Sequence, residues 1–316
     1  MVGEVEGGQQ GAAQAGPRTQ ARCGFAALVG RPNVGKSTLL NALLGRKLSI
    51  VTPKPQTTRH RVHGVLTRPG LQIVFVDLPG IHSTERRALN RALNRTAASS
   101  LADADVNLFL IEALRFDTED QKVLQRLVDA GRPILLLINK VDRVHPRERL
   151  LSFIDEVRQR AEFAGIVPLS ALKRENLERL PELIATFLPE GPLLYPAEQV
   201  TDVDDRFLAA EIVREKLMLL LRDEIPYGLM VEIERFAPDE EDPARLLVNA
   251  IVWVEREGQK AIVIGKAGEM LKRVGSSARF ELKRMFARPV HLELWVKVKE
   301  DWPDNVPALK RLGYDV

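Results

Sequence analysis

Four short stretches carry residue types at spacings that suit phosphate and base chemistry. Gly30-Arg31-Pro32-Asn33-Val34-Gly35-Lys36-Ser37 matches the pattern G-x-x-x-x-G-K-[ST] in full. Its glycines let the backbone curl until successive N–H groups face phosphate oxygens. Lys36 would reach the β- and γ-phosphates, and the Ser37 hydroxyl would bind Mg²⁺. Asp77-Leu78-Pro79-Gly80 adds a carboxylate that can hold the same ion, directly or through water, and a glycine N–H free to approach the γ-phosphate. Asn139-Lys140-Val141-Asp142 decides the base. The Asp142 carboxylate can accept from both N1–H and the 2-amino group of guanine, and adenine has neither donor. A polar site of that kind rejects the wrong base by about 10⁴–10⁵. Ser170-Ala171-Leu172 fits a loop whose backbone N–H reaches guanine O6.

Pro53-Lys54-Pro55-Gln56-Thr57-Thr58-Arg59 lies between the phosphate loop and Asp77. Such a polar, proline-flanked loop can become ordered when a threonine hydroxyl binds Mg²⁺ beside the γ-phosphate. Thr58 is favoured over Thr57 for that role. The expected metal set is therefore Ser37, Thr58 and Asp77, and the catalytic set expected from these motifs is Lys36, Thr58, Asp77 and Gly80. Hydrolysis would be in-line attack of water on the γ-phosphate, promoted by Mg²⁺, Lys36 and backbone N–H groups. Ile81 follows the D-x-x-G stretch where many GTPases place a water-orienting Gln, so no side-chain base is assigned. Turnover without a partner should be slow, on the order of 10⁻⁴–10⁻² s⁻¹.

These residues need a rim to converge on. From Cys23 to about residue 188, buried apolar runs (Ala26–Val29, Leu71–Val76, Val106–Ile111, Ile134–Ile138, Ile166–Leu169) alternate with helical stretches near 36–45, 84–101, 118–130, 146–163 and 175–187. That rhythm predicts a parallel sheet covered on both faces, with the motifs at the carboxyl ends of the strands. His63–Thr67 can add a strand antiparallel to Leu71–Val76 through a tight Arg68-Pro69-Gly70 turn, making the sheet mixed.

Residues 189–204 carry three prolines and no clear period, and they are read as a linker. The second part, 205–316, predicts a helix over Asp205–Arg222, strands over Leu229–Phe236 and Leu246–Glu255, a helix over Glu269–Ala287 and a strand over Val290–Lys297. Gly265-Lys266-Ala267-Gly268 joins a short apolar segment, Ala261–Ile264, to the basic helix.

Whole-chain composition bounds the rest. The chain has 316 residues, 45% apolar and 28% charged, with five His and one Cys. This is an ordinary globular composition long enough for two domains. The lone Cys23 excludes a disulfide framework within the chain and a Cys-based zinc site. Residues 1–22 have no apolar stretch of a secretory signal and are read as a mobile tail. The longest apolar runs are five residues, against the roughly 20 that span a bilayer. The net charge of +3 divides unevenly. Residues 201–245 hold 13 acids and six bases, while residues 260–299 hold ten bases and three acids. The +7 segment adjoins the G-x-x-G and predicts an RNA footprint through Lys266, Lys272 and Arg273. Trp253, Trp295 and Trp302 are expected to be packing anchors.

In this order, GRPNVGKSTLLN, PQTTRHRV, DLPGIH, NKVD and SAL resemble the translation-factor-related GTPases, and together they are similar to the Era family. The order helix, two strands, short helix, G-x-x-G, helix, strand is like a type II KH domain, whose G-x-x-G clamps about four nucleotides. The resemblance implies an α/β P-loop GTPase domain over 23–188, with a mixed, mostly parallel sheet, followed by an α+β type II KH domain over 205–316. It implies GTP and GDP as substrate and product with Mg²⁺, and a factor in small ribosomal subunit assembly. That factor would be a cytoplasmic monomer binding the 3′ end of small-subunit ribosomal RNA through Gly265–Gly268, and peripheral membrane association is also attributed to the family. In related GTPases an Asn at the Asn33 position helps hold a monovalent cation, so K⁺ stimulation is a further expectation. The alternatives are a GTPase of another branch, such as tRNA modification, or an RNA-binding module with a structural nucleotide site.

Overall fold

A computed structural model describes residues 21–54, 57–79, 87–221 and 228–311. The expected contributions of Pro55, Gln56, Gly80, Ile81 and His82, and of the tail over 1–20, lie outside the described residues.

The first sheet runs β2 (Val62–Arg68), β3 (Leu71–Asp77), β1 (Ala21–Val29), β4 (Val106–Glu112), β5 (Ile134–Asn139), β6 (Gly165–Pro168). β3, β1, β4, β5 and β6 are parallel neighbours, and β2 joins β3 antiparallel. β3 and β5 are buried at every position, as strands covered on both faces must be. One face packs against α1 (Lys36–Leu44) and α5 (Leu180–Ala185), through Leu39, Leu40, Leu180 and Ile184. The other packs against α2 (Ala88–Asp103), α3 (Thr118–Asp129) and α4 (Glu148–Val157), through Leu101, Leu124, Leu127 and Phe153. The strands' carboxyl ends therefore share one rim.

Three departures from the expected element bounds have a visible cause. β1 starts at Ala21, because its first residues pair antiparallel with β7 (Glu190–Gly191). α4 ends at Val157, after which Gln159 and Arg160 donate three residues back in tighter turns. α5 starts at Leu180, and a helix from residue 175 is blocked at Asn176, whose φ of 60° no helix accepts; Arg174 before it has a φ of 58°.

The proline-containing stretch after β7 is pinned to the first sheet. Buried Gln72 accepts from the N–H of Leu194 and Tyr195 and donates to Tyr195 O, while Val65 N–H donates to Val200 O. α6 (Asp205–Leu220) follows, its first turn capped by the Asp204 carboxylate accepting from Phe207 N–H at 2.8 Å. The second sheet is β10 (Val290–Val298), β9 (Leu246–Val254), β8 (Met230–Pro238), with β9–β10 parallel and β8–β9 antiparallel. Its inner face packs on α6, α7 (Glu257–Ile264) and α8 (Glu269–Phe286), in a core that includes Ile212, Val248, Val263, Val274 and Leu282. Two further short helical turns, Trp302–Asp304 and α9 (Val306–Arg311), end the described residues. Trp302 is fully buried, but Trp295 is 41% exposed on the outer face of β10, so it is not the packing anchor expected.

Candidate functional site

The rim carries a cleft of about 470 Å³ lined by Pro32, Asn33, Gly35, Lys36, Ser37, Thr57, Thr58, Asn139, Lys140, Asp142, Ser170, Ala171 and Leu172, among others. Four sequence-separated segments thus meet at one place. Gly35 makes the meeting possible. Its φ is 106°, and a Cβ there would stand 2.3 Å from Asn139 Nδ2. Asn139 uses that closeness to staple three loops. Its Nδ2 donates to Val34 O at 2.7 Å, and its Oδ1 accepts from Lys140 N–H and Ala171 N–H at 2.8 and 3.0 Å. Ala171 N–H is thereby engaged in holding the loop. Ser170 Oγ donates to Asp142 Oδ1 at 2.6 Å, orienting the carboxylate assigned to the base.

On the phosphate side, Lys36 Nζ donates to Gly30 O at 2.8 Å and Arg31 O at 3.1 Å, spanning the loop it closes. Burial lowers its pKa to about 8, although nearby Asp77 opposes that shift. Asp77, at the end of β3, is fully buried, and its carboxyl pKa is raised by that burial, against the pull of Lys36 and of neighbouring hydroxyls. Its Oδ2 accepts from Ser37 Oγ at 3.0 Å and Thr58 Oγ1 at 3.3 Å, and the two hydroxyls are 3.2 Å apart. Its Oδ1 is buried without a partner of hydrogen-bond geometry. Two hydroxyls around a carboxylate with an orphaned oxygen are an all-oxygen donor set of the kind Mg²⁺ takes, so the residues fit that ion. Thr57 Oγ1 turns the other way, toward Thr52 Oγ1 and Lys54 O, both at 2.7 Å.

Several expected contacts fall outside the cleft. The Arg31 side chain points behind the phosphate loop, to Asp120 at 3.1 Å and Glu112 at 3.3 Å. The side chains of Val34 and Leu78 are in the core, and Val141 and Pro79 are buried, so these four can offer only backbone. Glu112 was not anticipated. It ends β4 and holds Lys140 Nζ at 3.1 Å together with Arg31, tying the base loop to the phosphate loop. No motif marks it. The only signal was its position at the rim end of a buried strand.

In the second half, the G-x-x-G forms a tight turn between α7 and α8, with positive φ at Gly265 (75°), Ala267 (51°) and Gly268 (77°). Lys266, Ala267, Lys272 and Arg273 are exposed around it. Such a turn lets a sugar-phosphate backbone approach closely.

Residues 25–140 match the family model described as a 50S ribosome-binding GTPase, and residues 224–303 match the KH domain. The chain is 49% identical over 298 residues to GTPase Era of Stenotrophomonas maltophilia (strain K279a), covering 94% of this chain and 99% of the relative. The chain belongs to the Era family of GTPases. It is 50% identical over 294 residues to the Era of Marinobacter nauticus, covering 93% of this chain and 95% of that one. Two solved Era structures superpose with a TM-score of 0.90 at 43% identity. One is an Aquifex aeolicus Era variant bound to GDP and AlF4⁻, covering 93% of this chain and all of that one. The other is Era with MgGDPNP and nucleotides 1506–1542 of 16S ribosomal RNA, covering 94% of this chain and all of that one. The chain joins a P-loop GTPase unit with a mostly parallel sheet to a KH domain. The chain is a GTP-hydrolysing enzyme.

Proposed function

We propose that this chain is a GTP-operated factor that binds 16S ribosomal RNA near its 3′ end through the Gly265–Gly268 turn and assists small-subunit assembly. One observation carries the reading: a rim where the phosphate loop, Thr58, Asn139–Asp142 and Ser170–Leu172 meet, and a G-x-x-G whose Lys266 is exposed beside Lys272 and Arg273, stand on one chain. The likeness to the Era structure holding that RNA supports the choice of RNA.

Ser37, Thr58 and Asp77 would hold Mg²⁺, which when bound neutralises charge on the phosphate oxygens and orients them. Lys36, released from the carbonyls of Gly30 and Arg31, pairs with the β- and γ-phosphates. Asp142, oriented by Ser170, selects guanine, and Asn139 keeps both loops in register. The Asn33 amide donates to Pro53 O at 2.6 Å, tying the phosphate loop to the Thr58 loop, and the reading of Asn33 as the residue through which K⁺ stimulates hydrolysis rests on the family resemblance. Equal rates in KCl and NaCl would sink that part of the reading. The domain limits 23–188 and 205–316, monomeric action in the cytoplasm and membrane contact are part of the same proposal. Membrane contact is carried by the resemblance alone, and no helix of the described residues is long and apolar enough to cross a membrane.

The test is crosslinking of the chain to 16S ribosomal RNA in GTP-analogue and GDP states, with the contacts mapped on both molecules. Contacts at 265–273 to the 3′-terminal segment are expected. Crosslinks confined to the GTPase half would overturn the assignment.

A further inference from the structure

The loop that carries Thr58 is held from outside the GTPase unit. Val51 N–H donates to Glu215 Oε1 at 3.0 Å, and Lys54 Nζ donates to Leu221 O at the end of α6. Arg59 Nη1 donates to Leu229 O at 2.6 Å, just before β8. Between these, Arg214 Nη2 donates to Thr57 O. Arg214 and Glu215 lie on α6, Leu221 follows its last residue and Leu229 precedes β8, and the four anchors bracket Thr58 on both sides.

Arg214 is the anchor nearest to Thr58. It is 3% exposed, and Glu211 fixes its guanidinium in a two-pronged pair, Nε to Oε1 and Nη2 to Oε2, both at 2.6 Å. The carbonyl it grips belongs to the same planar peptide unit as Thr58 N–H, so fixing Thr57 O fixes the plane from which the Thr58 side chain departs. That side chain is the one at Ser37 and Asp77. Glu215, which holds Val51, is itself locked by Lys47 at 2.6 Å and Lys216 at 2.7 Å, and both lysines also pair with Glu281 of α8.

We propose that Arg214 is a positioning residue for GTP hydrolysis, acting through the Thr57 carbonyl to hold the Thr58 hydroxyl at the Ser37–Asp77 cluster. The second half of the chain thereby completes the γ-phosphate side of the nucleotide site. The inference rests on the reading of Thr58 as a Mg²⁺-side residue. It makes Arg214 important for GTP and unimportant for GDP, which has no γ-phosphate for this loop to meet.

The test is a cycle of Arg214→Met, Thr58→Ala and the double variant in the full chain. It reads kcat/KM for GTP and the affinities for a non-hydrolysable GTP analogue and for GDP. Arg214→Met should lower kcat/KM and analogue affinity about ten-fold, the scale of one hydrogen bond to a charged group, with GDP affinity unchanged. The double variant should be no worse than Thr58→Ala, because Arg214 acts through that hydroxyl. Should Arg214→Met fail to fold, Glu211→Gln, which loosens the guanidinium without removing it, should shift the same quantities in the same direction. Arg214→Lys should recover part of the loss. Multiplying losses in the double variant, or equal loss of GDP and analogue affinity, would overturn the proposal. A wild-type rate for Thr58→Ala alone would overturn the reading of Thr58 and this inference with it.

Discussion

Lys36 shows what a buried charge does to pH dependence. Its ammonium donates to two backbone carbonyls, and burial lowers its pKa to about 8 from an ordinary 10.5. The unfolded chain therefore holds this proton more tightly than the fold does. The cost to the nucleotide-free fold is fully present below about pH 8 and fades as pH rises toward 10.5. Phosphates should restore the charge, so nucleotide binding takes up a proton above pH 8. At pH 8.5 the uptake should be roughly three-quarters of a proton, since that fraction of a group titrating near 8 is neutral. Calorimetric titrations in buffers of different ionisation heat measure it, and no uptake at that pH would contradict the pairing. Lys36, Ser37, Asp77 and Asp142 were legible in the sequence because their chemistry follows from residue type and from position at a strand end. Glu112 and Arg31 were not, because a carboxylate ending one strand meets an arginine 81 residues away only once the sheet has formed.

At the scale of elements, the G-x-x-G turn separates two uses of glycine. A Cβ at Gly265 would stand 2.7 Å from Met270 Cβ, in the first turn of α8, whereas at Gly268 it would meet nothing within 4 Å. Both have positive φ, so a side chain at either costs on the order of 1–2 kcal/mol of backbone strain. Gly265→Ala should therefore lower thermal stability more than Gly268→Ala does. Gly268→Asp, which adds bulk and negative charge at the open side, should weaken binding of the 3′-terminal 16S segment at least about ten-fold, while GTP hydrolysis without RNA is unchanged. Fluorescence anisotropy with labelled RNA measures the first and phosphate release the second. Undiminished RNA affinity in Gly268→Asp would remove the turn from the RNA site. Strand and helix periodicity made most of these elements readable in advance. The shortened α5 was not readable, because left-handed backbone at Arg174 and Asn176 has no compositional signature as strong as glycine.

Across the whole molecule, the segment after β10 closes back on the helix that follows the D-x-P-G stretch. Trp302 is buried against Ala88, Leu89, Leu93, Met230 and Leu309, and its Nε1 donates to Gly228 O at 3.1 Å. Asp304 Oδ1 accepts from Ala88 N–H at 2.9 Å, and Arg87 pairs with Glu255 at 2.7 Å. Trp302→Ala should destabilise the fold by about 3–5 kcal/mol, the usual cost of deleting a large buried aromatic. A denaturation midpoint within error of wild type would show that this junction bears little load. By itself the sequence determined the two architectures, the guanine site and the G-x-x-G turn. Each of these is a matter of local backbone geometry, strand burial or helical period, which neighbouring residues impose on one another. The tertiary structure alone decided how the halves join, because those bonds link residues with no local relation. Arg214 lies 157 positions from Thr57, and Lys47 lies 234 from Glu281. A charged side chain leaves the same mark on a sequence whether it faces water or a distant carbonyl, and only packing removes the water that would otherwise take its place.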